Sequence, residues 1–144
     1  MFQFVSKMIS GEAHFSKLIR SVKPVLNNGE FVFCSFAEVG DINLNETVCF
    51  FREKEGVSVI LPKKVADERQ LKYSFIASWI TLMVHSSLEA VGLTAAVSKA
   101  LADENISCNV VAGYYHDHIF VARKDTERAI RILEAVSNGS SRRL

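Results

Sequence analysis

The densest group of potentially reactive side chains in this sequence is His116-Asp117-His118, with His85 further back in the chain. Two imidazoles and a carboxylate are ligands for a transition metal, and strand alternation would set His116 and His118 on one side. The plainer reading leaves one imidazole solvated at a corner and packs the other under a sheet, because no second carboxylate or cysteine lies near in sequence. Ser86 and Ser87 beside His85 are the nearest approach to a hydroxyl nucleophile with a base. Neighbouring strand residues point to opposite faces, so His85 does not serve Ser86, and Ser87 falls beyond the strand's end. Cys34, Cys49 and Cys108 sit inside apolar runs, which suits buried reduced thiols better than nucleophiles. Neither spaced-glycine phosphate signature occurs. The chain is therefore expected to carry no catalytic machinery, metal or cofactor.

The elements that would position these residues follow from periodicity. Phe15, Leu18, Ile19 and Val22 make one apolar stripe on a helix from about Glu12 to Val22, which Pro24 ends. After the turn Asn27-Asn28-Gly29, the aromatic and β-branched run Phe31 to Ala37 reads as a strand. A second strand, Thr47 to Arg52, folds back through Glu53-Lys54-Glu55-Gly56 onto Val57 to Leu61 as a hairpin. Pro62 suits the start of a short helix through about Gln70. Tyr73 to His85 has no turn former and reads as one long strand or two joined by a bend, a natural hinge between halves. Leu93, Ala96, Val97, Ala100 and Leu101 fall on one helix face, ended by Asp103-Glu104-Asn105. Ile106 to Tyr115 is the next strand, and His116-Asp117 makes a corner into Ile119 to Ala122. Asp125 can cap a last helix with Ala129, Ile130, Leu133 and Val136 inward, stopped by Gly139.

Composition narrows the function classes. With 144 residues, about half of them hydrophobic, the chain can bury a sizeable core. Seventeen Lys plus Arg against sixteen Asp plus Glu leave a formal charge of +1, so no long-range field gathers nucleic acid or an anionic membrane. The odd cysteine count fits a reducing cytoplasm, and Met1 to Ile9 lacks the core and cleavage site of a signal peptide. Phe75 to Val84 is about half the length of a membrane span and reads as a buried strand. Adjacent Phe50 and Phe51 must face both sides of a sheet, which leads us to expect a homodimer that covers the face without helices.

Two overlapping βαββαβ units would need eight strands and four helices. The sequence supplies the helices but reaches the last strand only if Phe2 to Ile9 is used. Interleaved modules, with an N-terminal or neighbouring strand completing the sheet of the C-terminal half, resolve that shortage.

The segment His85-Ser86-Ser87-Leu88-Glu89-Ala90-Val91-Gly92-Leu93-Thr94-Ala95-Ala96, followed by Leu101 and Asn105-Ile106-Ser107-Cys108-Asn109-Val110, resembles the regulatory ACT domain. Tyr73-Ser74-Phe75 and Ala112-Gly113-Tyr114-Tyr115-His116-Asp117-His118 are similar to the bacterial tandem-ACT proteins. Ser10-Gly11-Glu12 and Val25-Leu26-Asn27 fit the same group, so the resemblance runs from about Met8 to Leu133. It implies an α+β fold of two ferredoxin-like ACT modules, antiparallel sheets with helices on one face. The modules would span 8–72 and 73–138, with 139–144 a disordered polar tail.

Similar ACT segments of aspartokinases and arginine sensors bind an amino acid between two modules. By position, the backbone of Glu89, Ala90, Val91, Gly92 and Leu93 would contact the ligand's amino and carboxylate groups. Asn109, Gly113, Tyr114 and Asp117 would complete the pocket. The physical case agrees in part, because a glycine at a helix start exposes free N–H groups and the positive end of the helix dipole. Asp117 and Glu89 could answer a cationic end. The plainer alternative is that Gly92 only permits tight helix packing. The expectation is thus a regulatory or sensor protein that binds an amino acid or close analogue, is cytoplasmic and dimeric, and acts on a separate target. An interaction module with no ligand is the rival, and a metal-dependent enzyme using His85, His116 and His118 stands behind it.

Overall fold

The computed structural model describes residues 14–84 and 91–139. Residues 14–20 are the described part of helix α1, whose apolar stripe buries Leu18. The helix stops at Ser21, where the hydroxyl donates back to the Leu18 carbonyl at 2.7 Å. Pro24 does not merely end it: Lys23–Leu26 is strand β1, with Pro24 opposite Leu82. An edge strand tolerates proline because its missing N–H need not feed a ladder.

The other strands are β2 (Phe31–Phe36), β3 (Cys49–Arg52), β4 (Val57–Pro62), β5 (Ile76–Met83), β6 (Asn109–Ala112) and β7 (Asp117–Ala122). The helices are α2 (Lys63–Glu68), α3 (Leu93–Asp103) and α4 (Thr126–Ser137). Single 3-10 turns at Val39–Asp41 and Leu44–Glu46 stand between β2 and β3, where no periodic apolar pattern marks a helix. Residues 73–75 precede β5 instead of joining it; there the Tyr73 hydroxyl donates to Asp67 Oδ1 at 2.6 Å.

Among the described residues the strands form one antiparallel sheet in the order β3-β4-β2-β5-β7-β6, with β1 also on β5. The chain from β1 through β2 runs along one edge of β5. Leu26 faces Ile80 and Phe31 faces Ala77, so the four residues 27–30 stand against two of β5, and the Asn27 N–H still donates to the Trp79 carbonyl at 2.8 Å. Two ferredoxin-like strand orders therefore overlap at β5, namely β3-β4-β2-β5 and β1-β5-β7-β6. The modules are interleaved, and the strand that completes the C-terminal one is Lys23–Leu26; the expected donor, Phe2 to Ile9, lies outside the described residues. Within the anticipated hinge at Tyr73 to His85, Ile76–Met83 is instead a strand paired on both edges, a stiff arrangement.

Register assigns the two faces. Val32, Leu61, Val59, Ile80, Leu82, Ile119 and Val121 share one face, and every described α-helix packs on it. Under α1, α3 and α4 this face buries Leu18, Leu93, Val97, Leu101, Ala129 and Leu133; under α2 it buries Ala66 with Val57 and Cys34, and the half-buried Val65 packs against them. Each fully buried Leu or Ile stabilises the fold by roughly 1.5–3 kcal/mol relative to exposure. The opposite face is aromatic: Phe31, Phe33, Trp79 and Phe120 pack there edge-on or stacked, with ring centroids 5.3 to 6.5 Å apart. It carries no helix, yet Phe31 and Phe120 are buried, because the sheet curls.

Candidate functional site

Strand β5 runs at Met83 and Val84 into the segment 85–92, and α3 begins directly afterwards at Leu93. Gly92 is the N-cap residue, held at φ +103°, a left-handed conformation that favours glycine. Gly92 itself brings no side-chain cap to the first turn of α3. The first amides of any helix lack intrahelical partners and suit solvent, a cap or a ligand. Val91 is 88 % exposed, whereas Leu93 points into the core. Phe15 of α1 lies against Gly92, so close that a Cβ there would come to 2.8 Å of its ring.

Across the sheet, Asp117 opens β7 opposite Leu82 and Ala112. It belongs to the strand, not to a corner: the turn is Gly113 to His116, closed by the Gly113 N–H donating to the His116 carbonyl at 2.9 Å. A Cβ on Gly113 would meet that carbonyl at 2.7 Å, which is why glycine stands there. Tyr114 and Tyr115 project from the turn, both exposed, with rings 4.9 Å apart. His116 Nδ1 lies 3.4 Å from the Val84 carbonyl.

The fold thus brings Gly113, Tyr114 and Asp117 to the end of the sheet from which β5 departs for 85–92. It sets Asn109 elsewhere. That residue faces Phe120 on the helix-free side and donates to the Phe120 carbonyl at 3.3 Å, across the sheet from Leu93. Glu89 and Ala90, with His85, Ser86 and Ser87, lie outside the described residues.

A second concentration of chemistry lies on the helix-free face. Trp79 Nε1–H donates to His118 Nδ1 at 3.0 Å, and the Thr81 hydroxyl lies 3.1 Å from the same nitrogen. Asn27 Nδ2 donates to Thr81 Oγ1 at 2.9 Å, so β1's end, β5 and β7 are joined by one polar chain. An indole N–H can only donate, so His118 Nδ1 is an acceptor and the ring proton sits on Nε2. Burial, followed by the neighbouring His116, holds the His118 pKa below the usual imidazole value. Next to it a cavity of about 440 Å³ opens between the two outer strands, β3 and β6. The period-2 spacing of Phe31, Phe33 and of Trp79, Thr81 is the sequence signal that each pair shares a face.

Nucleophilic chemistry finds no support in the thiols, since burial raises the pKa of Cys34 and Cys49 and pushes Cys108 up to about 11. Among the described residues no group of three or more His, Cys, Asp or Glu side chains could hold a metal ion. No described helix is long and apolar enough to cross a membrane.

The fold defines the class: α+β, two ferredoxin-like modules in one antiparallel sheet with helices on one side. The ACT-domain family model matches residues 10–78, and a second ACT-domain model matches 74–135. The chain belongs to the ACT-domain family, as a tandem ACT protein. Among solved structures it is similar to a Vibrio cholerae protein of unknown function, described as a possible transport protein. That pair is 41 % identical over 88 % of this chain and 98 % of the other, with a TM-score of 0.81. An Agrobacterium tumefaciens protein follows at 17 % identity and TM-score 0.66, covering 81 % of this chain and 89 % of that one. The ligand-free regulatory subunit of aspartate kinase from Thermus thermophilus shares the fold at 9 % identity and TM-score 0.55, over 81 % and 98 %. No curated protein matches the chain. ACT domains are regulatory modules, and the comparisons support a regulatory protein.

Proposed function

We infer that this protein is a sensor that binds an amino acid or close analogue where the 89–93 loop meets the start of α3, and passes that signal to a separate target. The supporting observation is the start of α3 behind Gly92, an N-cap residue without a capping side chain, with Asp117 at the same end of the sheet. Free amides and the helix dipole suit a carboxylate, and Asp117 suits an ammonium group. Ligand would shift the population of module arrangements toward one that a partner reads. The same proposal includes a cytoplasmic homodimer without catalytic activity, and a division into modules at 8–72 and 73–138.

The test is thermal stability of the whole chain against the twenty amino acids. A ligand at a hundred times its dissociation constant adds about 2.7 kcal/mol to stability. One chemical class should raise the melting temperature and lose its effect in Asp117→Ala; a flat panel overturns the proposal. A second reading, an interaction module without a ligand, is favoured by Phe15 filling the space against Gly92. Its signature is the flat panel together with a constant stoichiometric complex with a partner protein.

A further inference from the structure

The helix-free face carries the sequence's one tryptophan, Trp79, in a half-buried position. Curling of the sheet brings the first and last strands of its order to opposite sides of the same cavity, about 440 Å³ in volume. Val48 and Cys49 wall it from the β3 side and Val111 from β6, while Trp79, Phe120 and His118 form its floor. The volume is within the range that holds small organic ligands. None of the lining residues is Asp, Glu, Lys or Arg. A zwitterion would have to shed its water there without a compensating charge, which is costly.

One directed polar group remains. Because Nδ1 of His118 is taken by Trp79 and Thr81, its proton is on Nε2, and that nitrogen has no hydrogen-bond partner among the described residues. Nε2 lies beside Gly113, 3.1 Å from where a Cβ would stand, so the bare glycine keeps the approach open. A flat π-surface and one N–H donor in an uncharged apolar cavity select for shape and for a single acceptor.

We propose that this cavity is a binding site for a neutral, planar aromatic or heteroaromatic molecule that stacks against Trp79 and accepts a hydrogen bond from His118 Nε2–H. The site is separate from the start of α3 and does not depend on the amino-acid proposal. Its ligand class excludes free amino acids, so the two sites can fail independently.

The test is titration of the full-length ¹⁵N-labelled protein with benzamide, followed by the indole N–H resonance of Trp79, which is unique in this sequence. A saturable shift is expected with benzamide, and none with phenylalanine or benzylamine at equal concentration. Val111→Phe fills the cavity from one wall and Thr47→Phe from another; whichever variant keeps the folded spectrum should weaken benzamide by about tenfold or more. The proposal is overturned if benzamide gives no saturable shift, if phenylalanine binds equally well, or if a folded filling variant binds unchanged. It is also overturned if the Trp79 resonance shifts with protein concentration alone and benzamide does not reverse this, since a second copy would then cover the cavity.

Discussion

Phe15 and Gly92 interlock: the ring of α1's phenylalanine occupies the space that any side chain at the N-cap of α3 would need. The contact ties α1 to the loop expected to hold a ligand. Gly92→Ala combines a left-handed φ, worth about 1–2 kcal/mol against a non-glycine residue, with displacement of that ring. The variant should unfold at lower urea concentration with an unchanged slope. An unchanged midpoint would show that neither the conformation nor the contact matters to stability.

Among the described residues, two other positions hold left-handed backbone without being glycine. Gln70 (φ 55°) follows α2, and Asn105 (φ 57°) follows α3. Each helix ends in the same way, with the next residue's N–H reaching back: Leu71 to the Ala66 carbonyl at 2.8 Å, and Ile106 to the Leu101 carbonyl at 2.9 Å. Such a terminus favours glycine, and asparagine tolerates it better than glutamine. Gln70→Gly should therefore stabilise the protein by about 0.5–1 kcal/mol after the extra chain entropy of glycine is subtracted. Asn105→Gly should change it little. Urea denaturation of both variants checks the contrast, and equal effects would contradict it.

Inside the core, Ser78 and Thr126 form a buried hydroxyl pair at 2.6 Å between β5 and the start of α4. Thr126 Oγ1 donates to the Arg123 carbonyl at 2.7 Å, so the Ser78 hydroxyl must be the donor of the pair. Thr126→Val strands the Ser78 hydroxyl, while the Arg123 carbonyl keeps the Thr126 backbone N–H, and should cost about 1–3 kcal/mol. Ser78→Ala added to it should recover part of that loss. A double-mutant cycle reads the coupling; strict additivity would mean that the hydroxyls do not depend on each other.

Helix stripes and the β3–β4 hairpin were legible because periodicity and turn residues are local. The β1 strand was not, since four residues containing Pro24 carry no alternation of their own and become a strand only by pairing with β5. The order of β2 beside β4 instead of β3 is likewise a tertiary fact. At the site, Gly92 and Asp117 could be singled out by residue type and by resemblance. That Asn109 faces away from α3 required the register, because a single-residue step moves a side chain across the sheet. The curl that closes a cavity between β3 and β6 has no sequence signal beyond aromatics at alternate positions.

His118 gives the fold a pH dependence whose sign can be worked out. Its pKa in the folded chain lies below the ordinary value of 6.5, first because of burial, next because of His116, with Asp117 acting the other way. Protonation would also put an N–H on Nδ1 against the Trp79 N–H. Between the two pKa values the unfolded chain binds more protons than the folded one, so stability rises with pH there. The contribution is complete above about pH 6.5 and is lost as the pH falls below it toward the folded pKa. His118→Gln keeps an acceptor for the indole and removes the titration. The wild type should therefore lose stability between pH 7 and 5 with a steeper slope than the variant, measured by urea midpoints at each pH. Parallel slopes would show that the imidazole is not shielded by this face.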